Sequence, residues 1–443
     1  MAARVWRNWA GDQQCVPASV ELPGSVDELR AAVGRAAAAG RTVRAAASGH
    51  SFTDIACTDG VMLRLDRMNR VLDNDRAAGL ARVEGGIVIR DLSEALARAG
   101  VALENLGDID VQTVAGAIST ATHGTGERFG NISAQVEALE LVTADGAVVE
   151  CGRESDPDVW RAGRVGLGSL GAIATVTFRV VPAFTIRRHD HPLPLQEAFA
   201  RLDELAAANE HFEFYVFPHT RTALCRESTH VDAPPEPHGP VRAYMQETLL
   251  ENHALAFLCQ AGRRFPRRIP AINRFITRTL SGSVKTDASH RVFSTRRLVR
   301  FTEMEYAIPR EHGPEALTRV LDTIDRRGYA VPFPIEYRVV AADDAYLSTA
   351  YERGTVYIAV HMYRGMTWEP YFRAVEAIMD DYGGRPHWGK RHFQSAATLA
   401  PRYPEWERFQ AVRARLDPEG RFQNEYSRRV LGPVGAAVPA RAA

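Results

Sequence analysis

Hydrophobic and polar positions follow two different periods over the first 180 residues, and each period predicts one class of element. Ser25-Val-Asp-Glu28 forms a capping box that opens a helix through the alanines to Gly40, a residue suited to end it. Strand patterns cover residues 42–46, 80–84, 136–143, 147–151 and 172–180, and helical patterns cover 91–99 and 158–164. Asp145-Gly146 lies between two of these strands and predicts a tight hairpin. Residues 1–181 are therefore expected to form an α+β domain.

The pattern changes near residue 182, where aromatic strands begin to alternate with long amphipathic helices. Strand-like pieces cover 212–217, 337–340 and 355–361, and helical periodicity covers 314–327 and 370–381. We expect a second domain over 182–400, then a C-terminal segment over 401–432 that contains a further helix. The Pro-, Ala- and Gly-rich stretch 433–443 predicts a disordered tail.

Composition excludes several classes of protein. The chain has 54 basic and 54 acidic residues, and this neutral balance argues against a nucleic-acid-binding protein. The five cysteines contain no C-x-x-C pair, so neither a disulfide framework nor a zinc site is indicated, and a cytoplasmic protein fits best. No apolar run approaches the ~20 residues that a membrane span requires.

Lysine is nearly absent from the chain. Only Lys285 and Lys390 are lysines among the 54 basic residues. Arginines are consequently weak evidence of function here, whereas a retained lysine points to a place that requires a compact, titratable ammonium.

Two glycine-rich segments carry candidate chemistry. Residues 166–171 match G-x-G-x-x-G, but a helix precedes them and a strand follows, the reverse of a nicotinamide-binding motif, so we interpret them as a structural turn. Ser48-Gly49-His50-Ser51 follows a strand directly and offers backbone N–H groups to a diphosphate. Residues 107–126 are dominated by Gly, Ala, Ser and Thr, which suits a backbone that approaches an extended polar ligand closely.

Together these segments resemble the sugar-1,4-lactone oxidoreductases of the vanillyl-alcohol-oxidase-type flavoprotein family. The resemblance rests on residues 47–60 (ASGHSFTDIACTDG), Thr113-Val-Ala-Gly116, Ala121-Thr-His-Gly124 and His387-Trp-Gly-Lys390, and it extends from Trp6 to Gly432. Within the family the chain is most similar to L-gulono-1,4-lactone oxidases and dehydrogenases, with alditol oxidases close behind. The implied fold is a two-subdomain FAD-binding domain, to which 401–432 returns, and an α+β cap with an antiparallel sheet.

The resemblance also implies roles for individual residues. His50 matches the histidine that bonds covalently to the flavin 8α-methyl group. The positions that match the pyrophosphate loop and the FAD lining are Ala45, Ala46, Ala47, Ser48, Gly49, Ser51, Asp108, Thr113, Gly116, Thr120, Ala121, Thr122, His123 and Ile173. In the cap, Glu336, Arg338, His361 and Lys390 match the residues that face the substrate over the flavin ring. No metal ion is implied.

The expected reaction is hydride transfer from a lactone hydroxyl carbon to the flavin. Arg338 and Lys390 can bind lactone oxygens and stabilise negative charge, and either Glu336 or His361 can take the hydroxyl proton. A plain surface ion pair is the alternative interpretation of Glu336 and Arg338. Oxidation of an alditol such as xylitol or sorbitol, and a binding module without turnover, are the alternative functions. The electron acceptor, O2 or a cytochrome or quinone-like partner, stays open.

Two departures from alditol oxidases argue against a plain alditol as substrate. Asp108 falls where those enzymes carry a serine, and Tyr363 falls where they carry a threonine. Elsewhere His189-Asp-His191 has a metal-like spacing, but with no third ligand nearby in the sequence we interpret it as a surface loop.

Overall fold

The structure is a computed structural model that describes residues 5–239, 244, 252–295 and 297–435. Residues 436–443, most of the expected disordered tail, lie outside the described residues. The first sheet has three parallel strands in the order Ser19–Glu21, Val61–Leu63 and Val43–Ala45. Helix Val26–Ala38 connects two of them, and the Ser25 hydroxyl accepts a hydrogen bond from the Glu28 backbone N–H, which confirms the predicted helix start.

The second sheet has five strands and carries the predicted hairpin. Its order is Val148–Gly152, Val136–Val142, Ala172–Arg179, Leu80–Glu84 and Val71–Asp75, and every neighbouring pair is antiparallel. Helices Ile89–Arg98, Val114–Ser119 and Pro157–Gly163 flank this sheet, and Trp160 is fully buried beneath it. The turn at 166–171 lies between helix Pro157–Gly163 and strand Ala172–Arg179, as the sequence predicted.

The third sheet has eight antiparallel strands. Its order is Ser283–Ala288, Thr185–Pro194, Thr222–Val231, His211–Val216, Ile335–Val340, Thr355–Tyr363, Phe301–Pro309 and Arg385–Pro386. Helices Leu195–Ala200, Leu202–Ala208, Gly313–Arg327 and Glu369–Asp380 cover one face and share a core with its apolar side chains. The structure also has two short antiparallel strand pairs: Trp6–Arg7 with Gln14–Cys15, and Val101–Ala102 with Val181–Pro182. The other α-helices of the described residues are Leu255–Arg264, Ile269–Thr279, Ser289–Phe293, Ala396–Leu399, Trp406–Leu416 and Glu425–Leu431.

The C-terminal helices pack back into the core of the first 180 residues. Trp406, Phe409 and Val430 share one hydrophobic cluster with residues of the five-stranded sheet. Asn424 caps the last helix and donates hydrogen bonds to the backbone carbonyls of Asp54, Ile55 and Cys57. The chain end is therefore fixed beside the loop that follows strand Val43–Ala45.

The interpretation of His189-Asp-His191 as a surface loop is wrong. These residues lie in the long strand Thr185–Pro194, which pairs with a strand on each side. Their alternation explains the metal-like spacing, because two residues apart on a strand share one face. The two imidazole rings stack with centroids 4.8 Å apart, and Asp190 points to the opposite, buried face, where its carboxylate pairs with Arg226 at 3.1 Å.

Candidate active site

A narrow cleft runs between the three-stranded sheet and the five-stranded sheet. The predicted cofactor residues that line it are Ala45, Ala46, Ala47, Ser48, Gly49, His50, Ser51, Thr113, Gly116, Thr120 and Ile173. The glycine-rich turn contributes Leu167, Gly168 and Gly171 to the same wall. Residues 45–51 and 113–120, which are far apart in sequence, therefore meet at one cleft together with this turn.

Small residues in the cleft are required by close packing of its walls. A Cβ atom at Gly116 would lie 3.0 Å from the Ala47 Cβ and 3.2 Å from the Thr113 hydroxyl. Gly49 has a φ of +72°, a backbone conformation that disfavours other residues. The cleft consequently exposes backbone rather than bulky side chains, which fits an extended polar ligand.

His50 stands where the narrow cleft meets a wider cavity, and it lines both. Trp9 stacks on the imidazole with ring centroids 5.2 Å apart. Burial lowers the pKa of His50 to about 4, so the ring is neutral near pH 7 and keeps a nitrogen lone pair available.

The wider cavity has a volume of ≈ 440 Å³, and one face of the eight-stranded sheet forms its floor. Strand alternation explains why polar side chains gather there. In each of Glu213-Phe-Tyr215, Glu303-Met-Glu305 and Glu336-Tyr-Arg338, the central residue packs into the core under the helices, so the flanking polar residues point to the opposite face. Strand pairing sets Glu213 opposite Arg338 and Glu303 opposite His361.

Arg338 is the centre of a buried ion-pair cluster. Its guanidinium lies 2.8 Å from Glu336, 2.8 Å from Glu213 and 3.3 Å from Asp108. Arg297 contacts Asp108 at 2.7 Å and lies 3.9 Å from Glu336. This is a buried network that lines a cavity, so the interpretation of Glu336 and Arg338 as a solvated surface pair does not hold.

The cluster shifts the pKa values of Asp108 and Glu336 in opposite directions. Burial opposes ionisation of Asp108, but Arg338 and Arg297 outweigh it, and the pKa of Asp108 falls well below its ordinary value. Burial raises the pKa of Glu336, and Arg338 offsets this only in part while Asp108 adds to it. Glu336 is therefore the carboxylate of the cluster that most readily accepts a proton.

Lys390 lies in the same cavity and pairs with two carboxylates. Its ammonium contacts Glu303 and lies 2.9 Å from Glu305. Burial would favour the neutral amine, but the two glutamates dominate and raise the pKa of Lys390. The lysine is therefore charged near pH 7.

The neighbours of His361 favour its protonated form. Its Nδ1 lies 3.1 Å from the Pro334 carbonyl oxygen, which only accepts, so Nδ1 carries a hydrogen. Its Nε2 faces Glu303 at 3.3 Å and Glu336 at 3.9 Å. A lone pair on Nε2 would face two carboxylates, so a second hydrogen is favoured there. Burial opposes this charge, but Glu303 outweighs it and raises the pKa of His361.

One further group in the described residues has ligand atoms spaced for a metal ion. Single atoms of His123, Glu305 and His387 all lie within 4.8 Å of one another. His123 Nε2 lies 3.1 Å from Glu305, and the Lys390 ammonium already neutralises that carboxylate. The Lys390 ammonium therefore already balances the negative charge of this group, which disfavours the binding of a divalent ion.

Comparisons with known proteins agree with this geometry. Residues 17–152 match the FAD binding domain model, and residues 176–430 match the D-arabinono-1,4-lactone oxidase model. The chain belongs to the D-arabinono-1,4-lactone oxidase family. It is 53% identical to L-gulono-1,4-lactone dehydrogenase of Mycobacterium tuberculosis over 97% of this chain and 99% of that protein. It is 35% identical to L-gulonolactone oxidase of Mus musculus over 96% and 98%.

The fold of this family member is shared with a cholesterol oxidase of known structure. A solvent-stable cholesterol oxidase superposes with a TM-score of 0.80 at 18% identity, over 96% of this chain and 97% of that one. The chain is thus an FAD-dependent oxidoreductase with the vanillyl-alcohol-oxidase-type fold. No helix among the described residues is long and apolar enough to cross a membrane.

The residues predicted to line the FAD fall partly in the narrow cleft and partly in the wide cavity. Asp108, Thr122 and His123 line the wide cavity rather than the narrow cleft, and Thr120 lines both. Ala121 lines neither space: it is fully buried in the hydrophobic core with a φ of +57°. All four predicted cap residues, Glu336, Arg338, His361 and Lys390, line the wide cavity.

Four residues of the ion-pair networks were not predicted from the sequence. Glu213, Arg297, Glu303 and Glu305 hold the predicted residues in place. Glu303-Met-Glu305 carried a usable signal, because two acidic residues alternate with an apolar one in a segment that is otherwise strand-like. Arg297 carried none in so arginine-rich a chain.

Proposed function

We propose that this protein oxidises an aldono-1,4-lactone, L-gulono-1,4-lactone in particular, at its C2 hydroxyl, giving an ascorbate-type product after tautomerisation. The observation that carries the proposal is the buried arrangement of Glu336, Arg338 and Lys390 in one cavity beside His50. The relatives named for gulonolactone support the substrate class. A small, hydroxyl-rich lactone suits a cavity with charged hydrogen-bonding groups on its floor.

We propose that the narrow cleft holds the FAD. The backbone of residues 45–51 binds the diphosphate, and the close-packed glycines admit the dinucleotide. Bound there, the flavin would supply the hydride acceptor for the lactone carbon. The residues of the chain have three tasks: to bind the lactone oxygens, to take the hydroxyl proton and to keep water out.

Glu336 takes the hydroxyl proton in this proposal. His361 is unsuited as the base because its carbonyl and carboxylate partners favour a hydrogen on each ring nitrogen. Lys390 is unsuited because two glutamates stabilise its ammonium. Glu336 has a raised pKa and lies 2.8 Å from Arg338, which stays charged. Arg338 and Lys390 then donate to the lactone oxygens and stabilise the negative charge that develops as the proton leaves.

We propose a covalent bond between the His50 imidazole and the flavin 8α-carbon. A neutral ring with a fixed orientation supports it, because only a neutral imidazole nitrogen can attack. Acid-precipitated protein should stay yellow, and His50→Ala should release the flavin to the supernatant. A colourless precipitate of the unaltered protein would exclude the covalent bond.

The substrate is tested by anaerobic mixing with a panel of candidates. L-gulono-1,4-lactone should bleach the flavin absorbance fastest, followed by galactono- and arabinono-lactone, with xylitol and sorbitol slowest. Faster bleaching by an alditol would replace lactone oxidation with alditol oxidation. Failure of all compounds to bleach the flavin would favour a binding module. Peroxide release in air, compared with reduction of an artificial acceptor, distinguishes an oxidase from a dehydrogenase.

We infer the domain organisation and compartment from the same observations. The two sheets built from residues before 182 and the C-terminal segment 401–432 form the FAD-binding domain, and residues 182–400 form the cap. The five cysteines are free thiols, which supports a reducing, cytoplasmic compartment.

A further inference from the structure

A helical hairpin in the cap presents a surface that is both basic and aromatic. Helices Leu255–Arg264 and Ile269–Thr279 are joined by the short turn Pro266–Arg268. Residues 252–282 contain no Asp or Glu, and six exposed arginines, namely Arg263, Arg264, Arg267, Arg268, Arg274 and Arg278. The charge of this segment is therefore positive only, whereas the whole chain has equal numbers of basic and acidic residues.

Large aromatic side chains are exposed on the same helical hairpin. Phe257, Phe265 and Phe275 are 70%, 58% and 60% exposed, and they are the large exposed phenylalanines of the described residues. Arg264 directly precedes Phe265 and Arg274 directly precedes Phe275, whereas the arginine nearest to Phe257 in sequence is Arg263. Within the described part of the chain, none of the six arginines forms an ion pair with a carboxylate.

The inner face of this hairpin is firmly packed, so the outer face is a fixed surface. Cys259 is buried in a cluster with Val299 and Phe333. Asn273 is fully buried and donates hydrogen bonds to the carbonyls of Pro218 and Val331, both at 3.0 Å. The exposed phenylalanines are therefore a stable property of the fold.

The hairpin also lies beside the mouth of the wide cavity. Leu255, the first residue of the hairpin, lines the cavity together with Leu298. Leu298 is at the same time 41% exposed, so the cavity opens to solvent next to the hairpin. A partner on this surface would face the entrance to the candidate active site.

We propose that the surface formed by residues 255–279 binds the surface of an anionic lipid bilayer. Guanidinium groups attract acidic headgroups, and protruding phenylalanines partition into the interface between headgroups and acyl chains. An acidic protein would match the charge of the arginines but gives no reason for three exposed phenylalanines beside them. The bound protein lies on the membrane, and its cavity opens toward the lipid surface.

The proposal is tested by flotation of the purified holoenzyme with lipid vesicles. The protein should float with vesicles of equimolar phosphatidylglycerol and phosphatidylcholine, and stay in solution with phosphatidylcholine alone. High salt should weaken binding. Arg267→Gln/Arg268→Gln should weaken it about tenfold or more, since each basic residue near the surface contributes to attraction. Phe257→Ser/Phe275→Ser should abolish binding at all salt concentrations.

Matched variants and a depth probe separate this proposal from its rivals. Arg41→Gln/Arg98→Gln removes two exposed arginines elsewhere, and Leu72→Ser removes an exposed apolar side chain; both should float like the unaltered protein. In Phe275→Trp, brominated acyl chains should quench the added fluorescence. Circular dichroism of each variant confirms that it folds. Three results would each overturn the proposal: absence of flotation with anionic vesicles, equal loss in the Arg41→Gln/Arg98→Gln variant, or unquenched fluorescence of Phe275→Trp with binding only to acidic polypeptides.

Discussion

Glu336 and His361 lie 3.9 Å apart in the wide cavity, and their surroundings raise the pKa of each. The sequence left both as candidate bases. The Pro334 carbonyl and the two facing carboxylates keep His361 protonated, while burial raises the pKa of Glu336 toward the range where a carboxylate is an effective base. The choice thus depends on contacts of atoms that the sequence does not place.

The role of Glu336 predicts a pH profile. Because the base must be deprotonated, kcat/KM should fall as the pH falls through the pKa of Glu336, above the ordinary range of a glutamate. Glu336→Gln should lower kcat about 10²–10⁴-fold and remove this acidic limb. Glu150→Gln, on an exposed strand position, should leave both unchanged. If the acidic limb persists in Glu336→Gln, another group is the base.

The two lysines predict different responses to the same conservative substitution. Lys390 fits one ammonium between Glu303 and Glu305, and the planar fork of an arginine cannot reproduce that geometry. Lys390→Arg should therefore lower kcat/KM by at least about tenfold. Lys285 donates to the Arg291 carbonyl at an exposed site, and Lys285→Arg should retain activity. Equal activity of the two variants would mean that the scarcity of lysine reflects composition alone.

At the scale of elements, local sequence patterns predicted most helices and strands near the cleft. The position of each element in the fold depends on its contacts with other elements. The hairpin at Asp145-Gly146 and the capped helix after Ser25 are local features, so the sequence alone identified them. The strand at 185–194 was missed because its histidines suggested a loop, whereas pairing on both sides stabilises it. Pairing partners separated by many residues leave no local signal.

Arg44 connects the elements around the cleft. This buried side chain donates to the carbonyls of Ile55, Leu167, Gly168 and Phe422, at 2.6 to 3.0 Å. It thereby joins the loop after strand Val43–Ala45, the glycine-rich turn and the C-terminal segment. Nothing in the sequence distinguishes this arginine from the many others.

Removing this connection should destabilise the protein. Arg44→Met would leave buried carbonyls without donors, and we expect the free energy of unfolding to fall by about 3 kcal/mol or more. Urea unfolding measures the change. Arg41→Met, three residues earlier and exposed, should stay within about 0.5 kcal/mol of the unaltered protein. Equal urea midpoints for the two variants would contradict the role of Arg44.

At the scale of the whole molecule, burial of ionisable groups makes stability depend on pH. His387 and His392 are both buried, and burial lowers the pKa of each to about 3. In the unfolded chain a histidine titrates near ~6.5. Below that pH the unfolded state binds a proton that the native state does not, so acidification destabilises the native state.

This difference predicts a loss of stability in mild acid. Each of the two histidines should contribute a slope of about 1.4 kcal/mol per pH unit as the pH falls from about 6 to 4. Urea unfolding at several pH values measures the slope, and His392→Gln should reduce it by about that amount. His253→Gln, on an exposed position, should leave the slope unchanged. An unaltered slope in His392→Gln would mean that other groups dominate acid unfolding.

The sequence by itself determined the family and the cofactor class, because these depend on local motifs such as residues 47–60 and 387–390. It also predicted most of the residues that line the cleft and the cavity. It also determined most elements, through periodicity and capping. Only the tertiary structure placed Glu213, Arg297, Glu303 and Glu305 around the predicted residues and assigned charges to Glu336, His361 and Lys390. The physical reason is that charge state depends on burial and on partners contributed by distant strands, which no local pattern contains.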